Sequence, residues 1–232
     1  MKTFADKAIA YYQSLTAPSS LPPGVGVMNP YEQPAVRAIV EQFYTRFYMD
    51  TQPRVFVLGI NPGRFGAGVT GISFTTPQNL RRYCGIDNDL RDTPELSSRF
   101  IYQVVEAFGG AAAFYNRFFL TSLFPLALTK ETTNGGTVNY NFYDDKQTTA
   151  ALWPAITEAV RTQISFGADR RVAVCLGRKN ETYLNRLNEQ QGFFDRIVTL
   201  DHPRYILQYK SKSLSTYLDQ YISTLYDCLE KP

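Results

Sequence analysis

Arg54-Val55-Phe56-Val57-Leu58-Gly59-Ile60-Asn61-Pro62-Gly63-Arg64-Phe65-Gly66 pairs an apolar run with a glycine-rich loop. From Val55 to Leu58 the run is apolar with no polar alternation, which predicts a strand buried on both faces, as inside a parallel sheet. Glycines and a proline then close it with a tight loop. Three similar runs follow, at Phe118 to Ser122, Arg171 to Leu176 and Arg196 to Leu200. Helical periodicity fills the intervals around Ser97 to Phe108, Lys146 to Phe166 and Asn180 to Gln190, and returns at Leu214 to Leu229. Strand and helix alternate, so the expected fold is α/β: one domain over residues 1–232, a central four-stranded parallel sheet flanked by helices. Upstream, Phe4, Ile9 and Tyr12 mark an N-terminal helix over residues 1–16, expected to pack on the domain together with the C-terminal helix 214–229. A break from Pro18 to Gly26 separates it from a second helix, with Pro34 near its first turn and Val36, Ile39, Val40, Phe43 and Phe47 on one side. Ligands of such sheets bind beyond the carboxyl ends of the strands, so the loops of interest open at Gly59, Ser122, Gly177 and Asp201.

Composition limits the rest. The chain has 232 residues, 44% hydrophobic and 19% charged, with 16 Tyr and 16 Phe. That is enough to bury a core, and it excludes disorder or a fibrous repeat as the overall character. No stretch approaches the roughly 20 apolar residues of a membrane helix. Asp6 and Gln13 interrupt the N-terminal apolar pattern, which therefore reads as an amphipathic helix and not a signal peptide. Cys84, Cys175 and Cys228 are too far apart for a metal pair, and their odd number argues against a disulfide framework. With a single histidine, a structural metal or cluster has almost no ligands. No metal, no cofactor and a reduced, cytoplasmic compartment are expected. Between Arg161 and Lys212 ten basic residues face five acidic ones; with 24 basic and 21 acidic residues in all, that stretch carries +5 and the remainder −2. The asymmetry permits a polyanionic partner and is equally what a solvated charged face looks like.

Gly59, Gly63 and Gly66 do not make the G-x-G-x-x-G dinucleotide fingerprint. Their loop can present backbone N–H groups to an anion or nucleotide, with Asn61 at its tip; a plain strand-to-helix turn reads the same way. His202, the one histidine, follows the fourth strand in Leu200-Asp201-His202-Pro203-Arg204. A lone histidine is usually structural, but this one stands in the row of loops where ligands bind. There is no G-x-S-x-G nucleophile elbow, and a hydrolase dyad would have a single base to choose from.

Several segments together resemble the SMUG family, the single-strand-selective monofunctional uracil-DNA glycosylases of the uracil-DNA glycosylase superfamily. Gly59 to Gly66, with Thr70-Gly71 and Phe74, resembles the family's G-M-N-P-G-P-F-G followed by T-G-V-P-F-G at the same spacing. Asn29-Pro30-Tyr31-Glu32 is similar to N-P-V-E-Y, and Glu95-Leu96-Ser97 with Arg99-Phe100 to E-V-S-G-x-R-F, one residue shorter. Phe119 to Leu126 lies over F-V-H-N-x-C-P-L, and His202-Pro203-Arg204 over a shortened H-P-S-P-R. The likeness runs from about residue 29 to 210. It departs at two places: Ser122 stands where the family carries its base-reading asparagine, and the arm after the histidine is abbreviated. The chain is thus more similar to a divergent bacterial branch than to the animal members.

The resemblance implies a hydrolase of base excision repair, without lyase activity, that flips a deaminated base out of DNA and cuts its N-glycosidic bond. It implies Asn61 as the residue orienting the attacking water and His202 as the donor to the departing base. Ile60, Gly63, Phe74 and Ser122 fall at base-binding positions, with Phe74 stacking on the ring. Gly63 replaces a tyrosine that shields C5 of the ring in the uracil-specific enzymes, which would admit 5-substituted uracils; Ser122 would read the base less strictly and admit xanthine. Arg204 and Tyr205 would fill the gap left in the DNA, helped more weakly by Asn139, Tyr140 and Asn141. The expected partner is DNA, single- or double-stranded, with no membrane, and the expected state a monomer working in the cytoplasm at the bacterial nucleoid. Two other readings stay open: a DNA- or nucleotide-binding module of the same fold with weak catalysis, and an unrelated α/β enzyme using the Asn-Pro-Gly loop for a small phosphorylated ligand.

Overall fold

Thr3 and Asp6 begin the chain's first helix by capping each other: the Thr3 hydroxyl accepts from the Asp6 N–H at 3.1 Å, and the Asp6 carboxylate accepts from the Thr3 N–H at 2.8 Å. In the computed structural model, which describes residues 1–230, this helix, α1, runs Phe4–Ser14. A short strand β1 (Val25–Met28) precedes α2 (Pro34–Tyr48) and β2 (Arg54–Gly59). Next come α3 (Ala67–Thr70), α4 (Pro77–Cys84), α5 (Leu96–Ala107) and α6 (Ala111–Tyr115), then β3 (Phe118–Ser122), β4 (Ala127–Glu131) and β5 (Thr137–Tyr140). The chain finishes with α7 (Lys146–Ile164), β6 (Ala168–Leu176), α8 (Arg178–Gln191), β7 (Arg196–Leu200), α9 (Pro203–Tyr209) and α10 (Leu214–Leu229).

The central sheet is the expected one. Its order is β3-β2-β6-β7, every pairing is parallel, and all residues of β2 and β3 are buried. The core is largely aromatic: Phe4 of α1 stacks on Tyr48 at 5.1 Å and meets Phe119 of β3 edge-on at 4.9 Å. α10 joins it through Tyr221, which packs on Phe100 of α5 at 4.9 Å. At the amino edge of the sheet Arg54 is wholly buried. Its guanidinium donates to Asp50 Oδ2 at 2.8 Å, to the Gln52 carbonyl at 2.6 Å and to the Tyr115 carbonyl at 3.3 Å.

Two features depart from the expectation. β1, β4 and β5 form a second, antiparallel sheet where the sequence reads as a break and a loop. β5 is almost entirely exposed, so no apolar alternation marks it. Gly26 lets β1 approach, because a Cβ there would stand 2.8 Å from Thr129 Oγ1. The abbreviated arm after His202 is the first turn of α9, with Pro203 at its first position and His202 as its N-cap.

Candidate active site

Parallel pairing brings all four strand ends to one edge. Gly59 is in register with Ser122, and Leu176 with Leu200. The pairing continues past the strands: Leu123 N–H donates to the Gly59 carbonyl at 3.1 Å and Phe124 N–H to the Ile60 carbonyl at 3.0 Å. Above this edge opens a cleft of about 610 Å³, within the roughly 300–1,000 Å³ of small-molecule sites. Asn61, His202, Ile60, Gly63, Phe74, Ser122, Arg204 and Tyr205 all line it, as do Asn139, Tyr140 and Asn141.

Asn61 is not a free loop tip. Its Nδ2 donates to the Tyr140 carbonyl at 3.0 Å and the Pro62 carbonyl at 3.2 Å, while Oδ1 accepts from Phe142 N–H at 3.2 Å. An acceptor at residue 140 and a donor at residue 142 fix which way the amide faces. Both N–H groups are thereby occupied. What remains for a ligand is the second lone pair of Oδ1, an acceptor. Asn139 also braces the loop, its Oδ1 accepting from Arg64 N–H at 3.0 Å.

His202 is held just as firmly. Its Nδ1 accepts from the Arg204 N–H at 3.1 Å, which puts the proton on Nε2 and makes that nitrogen a donor. Burial, with the Arg204 guanidinium adding to it, holds the imidazole pKa down at about 4, so the ring is neutral at pH 7. Gly177 at φ 109° permits the seat, since a Cβ there would lie 3.2 Å from His202 Cβ.

Phe74 is the one non-glycine residue at positive φ among the described residues, at 54°, a conformation that costs a bulky side chain about 1–3 kcal/mol. Thr75 is anchored beside it: its carbonyl accepts from Thr70 Oγ1 at 2.8 Å and its hydroxyl meets Tyr102 Oη at 3.0 Å. The ring lies against Gly59, where a Cβ would stand 2.8 Å from Phe74 Cζ and 3.5 Å from Ser122 Oγ. Ser122 itself is fixed through its backbone, its carbonyl accepting from Gln163 Nε2 at 3.2 Å. Gly63 is open by contrast, with its nearest neighbours, Asn139 Nδ2 and Glu95 Oε1, both 3.9 Å from where a Cβ would be.

Glu95 had no role in the sequence reading, although it lies in one of the family-like segments. It lines the cleft, its Oε2 is sealed from solvent without a hydrogen-bond partner, and burial raises its pKa. Tyr209 was also missed; 65% exposed, it lines the rim with Tyr205 one helical turn away, ring centroids 5.6 Å apart. Helical spacing identifies that pair only once α9 is known to be a helix.

The basic stretch 161–212 is not one face. β6 is nine residues long, about 30 Å, and separates its cations. Arg161, Arg170 and Arg171 sit toward the amino edge, occupied by Glu158 at 2.5 Å, the Phe193 carbonyl at 2.9 Å and Asp169 at 2.6 Å respectively. Arg178, Lys179 and Arg204 stand at the carboxyl edge. Arg178 lies 3.8 Å from Asp201, Lys179 lies 3.9 Å from Asp144, and Arg204 is exposed. Among the described residues no three His, Cys, Asp or Glu side chains gather as metal ligands would, and no helix is long and apolar enough to cross a membrane.

The family described as the uracil DNA glycosylase superfamily matches residues 46–226. Among solved structures, the crystal structure of wild-type Pedobacter heparinus SMUG2 is similar over the whole of both chains, at 45% identity and a TM-score of 0.95. No curated protein matches the chain.

Proposed function

The chain belongs to the uracil-DNA glycosylase superfamily, and from that premise we propose that it is a monofunctional DNA glycosylase of base excision repair. It hydrolyses the N-glycosidic bond of uracil in DNA, and by the same chemistry that of xanthine and 5-substituted uracils. The observation that carries this reading is the tautomer of His202: a neutral imidazole whose Nε2–H is free to donate, in the same cleft as Asn61.

Cleavage of the bond puts positive charge on the sugar and negative charge on the departing base. A preorganised donor aimed at that negative charge is worth about 2.7–4 kcal/mol. A neutral His202 supplies it without giving up a proton. Asn61, rigid through three hydrogen bonds, offers one lone pair to hold a water, and a held water reacts with an entropic advantage. Phe74 stacks on the flipped base, a contact worth about 1–3 kcal/mol. Ser122 reads the base edge with a hydroxyl that both donates and accepts, less strictly than an amide, and Gly63 leaves one flank open. Ile60 completes the wall. Arg204, Tyr205 and Tyr209 on the rim occupy the gap in the duplex. No lysine is marked as a Schiff-base nucleophile, so the product is an intact abasic site. We read the protein as a monomer acting on the bacterial nucleoid.

The test is base release from oligonucleotides carrying uracil, xanthine, hypoxanthine or a mismatch. The expected result is an alkali-labile site at each excised base, in the presence of EDTA and with no adduct trapped by borohydride. Ser122→Asn should narrow the range toward uracil. Uracil oligonucleotides left intact by folded protein would defeat the reading.

A further inference from the structure

The proposed hydrolysis leaves one proton without a destination. When water attacks C1′ of the sugar it must lose a proton, and neither residue assigned so far can take it. An amide is a poor base, and Asn61 has both N–H groups engaged. The one basic nitrogen of His202 already accepts from Arg204 N–H. Ser122 offers a hydroxyl. Among the residues lining the cleft a single carboxylate remains, Glu95.

Its setting is unusual for a structural acid. Glu95 is the N-cap residue of α5 but makes no side-chain cap bond. Oε2 is buried and unpartnered, against the α-carbon of Gly66, where a Cβ would be 2.5 Å away. Oε1 lies 3.9 Å from where a Cβ of Gly63 would stand, two residues along the loop from Asn61. Oε1, the oxygen on the Gly63 side, is the one turned toward the loop that carries Asn61.

Resting on the glycosylase reading, we propose that Glu95 is a third catalytic residue, the carboxylate that accepts the proton of the water held by Asn61. The water oxygen bonds to C1′ as the C1′–N bond breaks. The electron pair of that bond leaves with the base, as an anion hydrogen-bonded to His202 Nε2–H, and the proton passes to Glu95, which returns it to solvent or to the released base. The groups facing Glu95 are Arg204 from α9 and Ser97 and Ser98 from its own helix, all of which favour the ionised form. From the loop it meets the α-carbons of Gly63 and Gly66. Burial outweighs those groups and raises its pKa, the direction that makes a carboxylate a better base near neutral pH. His202 titrates near 4, so an acid limb that Glu95→Gln removes and His202 does not account for belongs to Glu95.

Single-turnover release of uracil from pH 4.5 to 9 by the wild type, Glu95→Gln and Glu95→Asp tests the assignment. Affinity for a duplex carrying a non-hydrolysable 2′-fluoro uridine is measured alongside. The wild-type rate should rise through a limb centred above the ordinary glutamate pKa of about 4.3 and then level off. Glu95→Gln should lose the limb and about 100-fold of the plateau, with duplex affinity unchanged, and Glu95→Asp should recover the limb. A wild-type profile flat down to pH 4.5 overturns the role of Glu95 whether or not the variants fold, as does Glu95→Gln turning over at the wild-type rate. Either result leaves the glycosylase reading standing, because the wild type is then active. A wild type that releases no uracil at any pH overturns that reading and the proposal with it.

Discussion

The two edges of the parallel sheet bury polar groups in opposite ways. At the amino edge the charge of Arg54 is answered from every side, by Asp50, two backbone carbonyls and the rings of Phe4 and Tyr48 at 5.6 and 5.3 Å. At the carboxyl edge the arrangement is left incomplete. Glu95 has an oxygen without a donor, His202 is denied its proton, and Phe74 is bent into a left-handed backbone. Arg54 is wholly buried, whereas Glu95, His202 and Phe74 are half-buried beside the cleft. What separates the two edges is therefore whether the fold itself supplies a polar group's partners, as it does for Arg54, or leaves one unmet, as it does for Glu95 Oε2.

The strongest way to test the contrast is to remove side chains from the incomplete edge. His202→Ala should cost about 100–1,000-fold in turnover, and Asn61→Ala a severe loss as well, with His202→Ala losing only about the 1 kcal/mol of a helix cap. Steady-state kinetics and a thermal melt on the same preparations measure both. At the complete edge the effect should reverse: Asp50→Ala leaves the buried guanidinium short of its counter-charge. Removing one partner of a fully buried pair costs about 3–5 kcal/mol, and since Asp50 is partly exposed about 2 kcal/mol is expected in urea unfolding, with turnover of the folded protein unaltered.

The pH dependence of stability sharpens the same comparison. Glu95 binds its proton more readily folded than unfolded, so it opposes folding once both states are ionised, and that penalty disappears as pH falls below the unfolded value near 4.3. Glu95→Gln should therefore melt above wild type at pH 7.5 and lose the advantage in acid. His202 has the opposite sign. The unfolded chain takes up its proton near 6.5 and the folded one near 4, so stability falls as pH drops between those values. Replacing His202 should flatten that part of the Tm profile.

The smallest effect concerns the cations. Arg204→Glu should reduce the salt dependence of DNA affinity by roughly 0.9 in log–log slope for each phosphate the side chain neutralises, whereas Arg171→Glu, paired to Asp169 at the far edge, should leave it unchanged. Equal slopes would mean that the division of the basic stretch has no bearing on DNA.

That division also shows what a linear reading can and cannot see. The buried run Val55–Leu58 announces its strand because the middle of a parallel sheet needs unbroken apolar residues; β3 and the second half of β6 follow suit, while β7 at the sheet edge is mostly half-buried. Thr137-Val138-Asn139-Tyr140 announces nothing, since β5 is held by backbone pairing and by Asn61 rather than by an apolar face. The positions of Asn61, Phe74 and His202 were legible through a family likeness. Their rigidity was not, because it depends on partners far along the chain: Asn61 on residues 140 and 142, Phe74 on Tyr102, by way of Thr75. Glu95 was visible as a letter, but the lack of a donor is a property of the folded surroundings alone.

The contact between Gly59 and Phe74 sets an order on how this site could change. A methyl group at 59 and a phenyl ring at 74 claim the same space, 2.8 Å apart where no carbon pair settles. A lineage can abandon the ring first and the glycine afterwards, but the reverse route passes through a chain whose Phe74 ring has been pushed off the sheet. The two positions should thus behave as one inherited unit: Gly59→Ala harmful beside Phe74, and nearly neutral once residue 74 has been shortened.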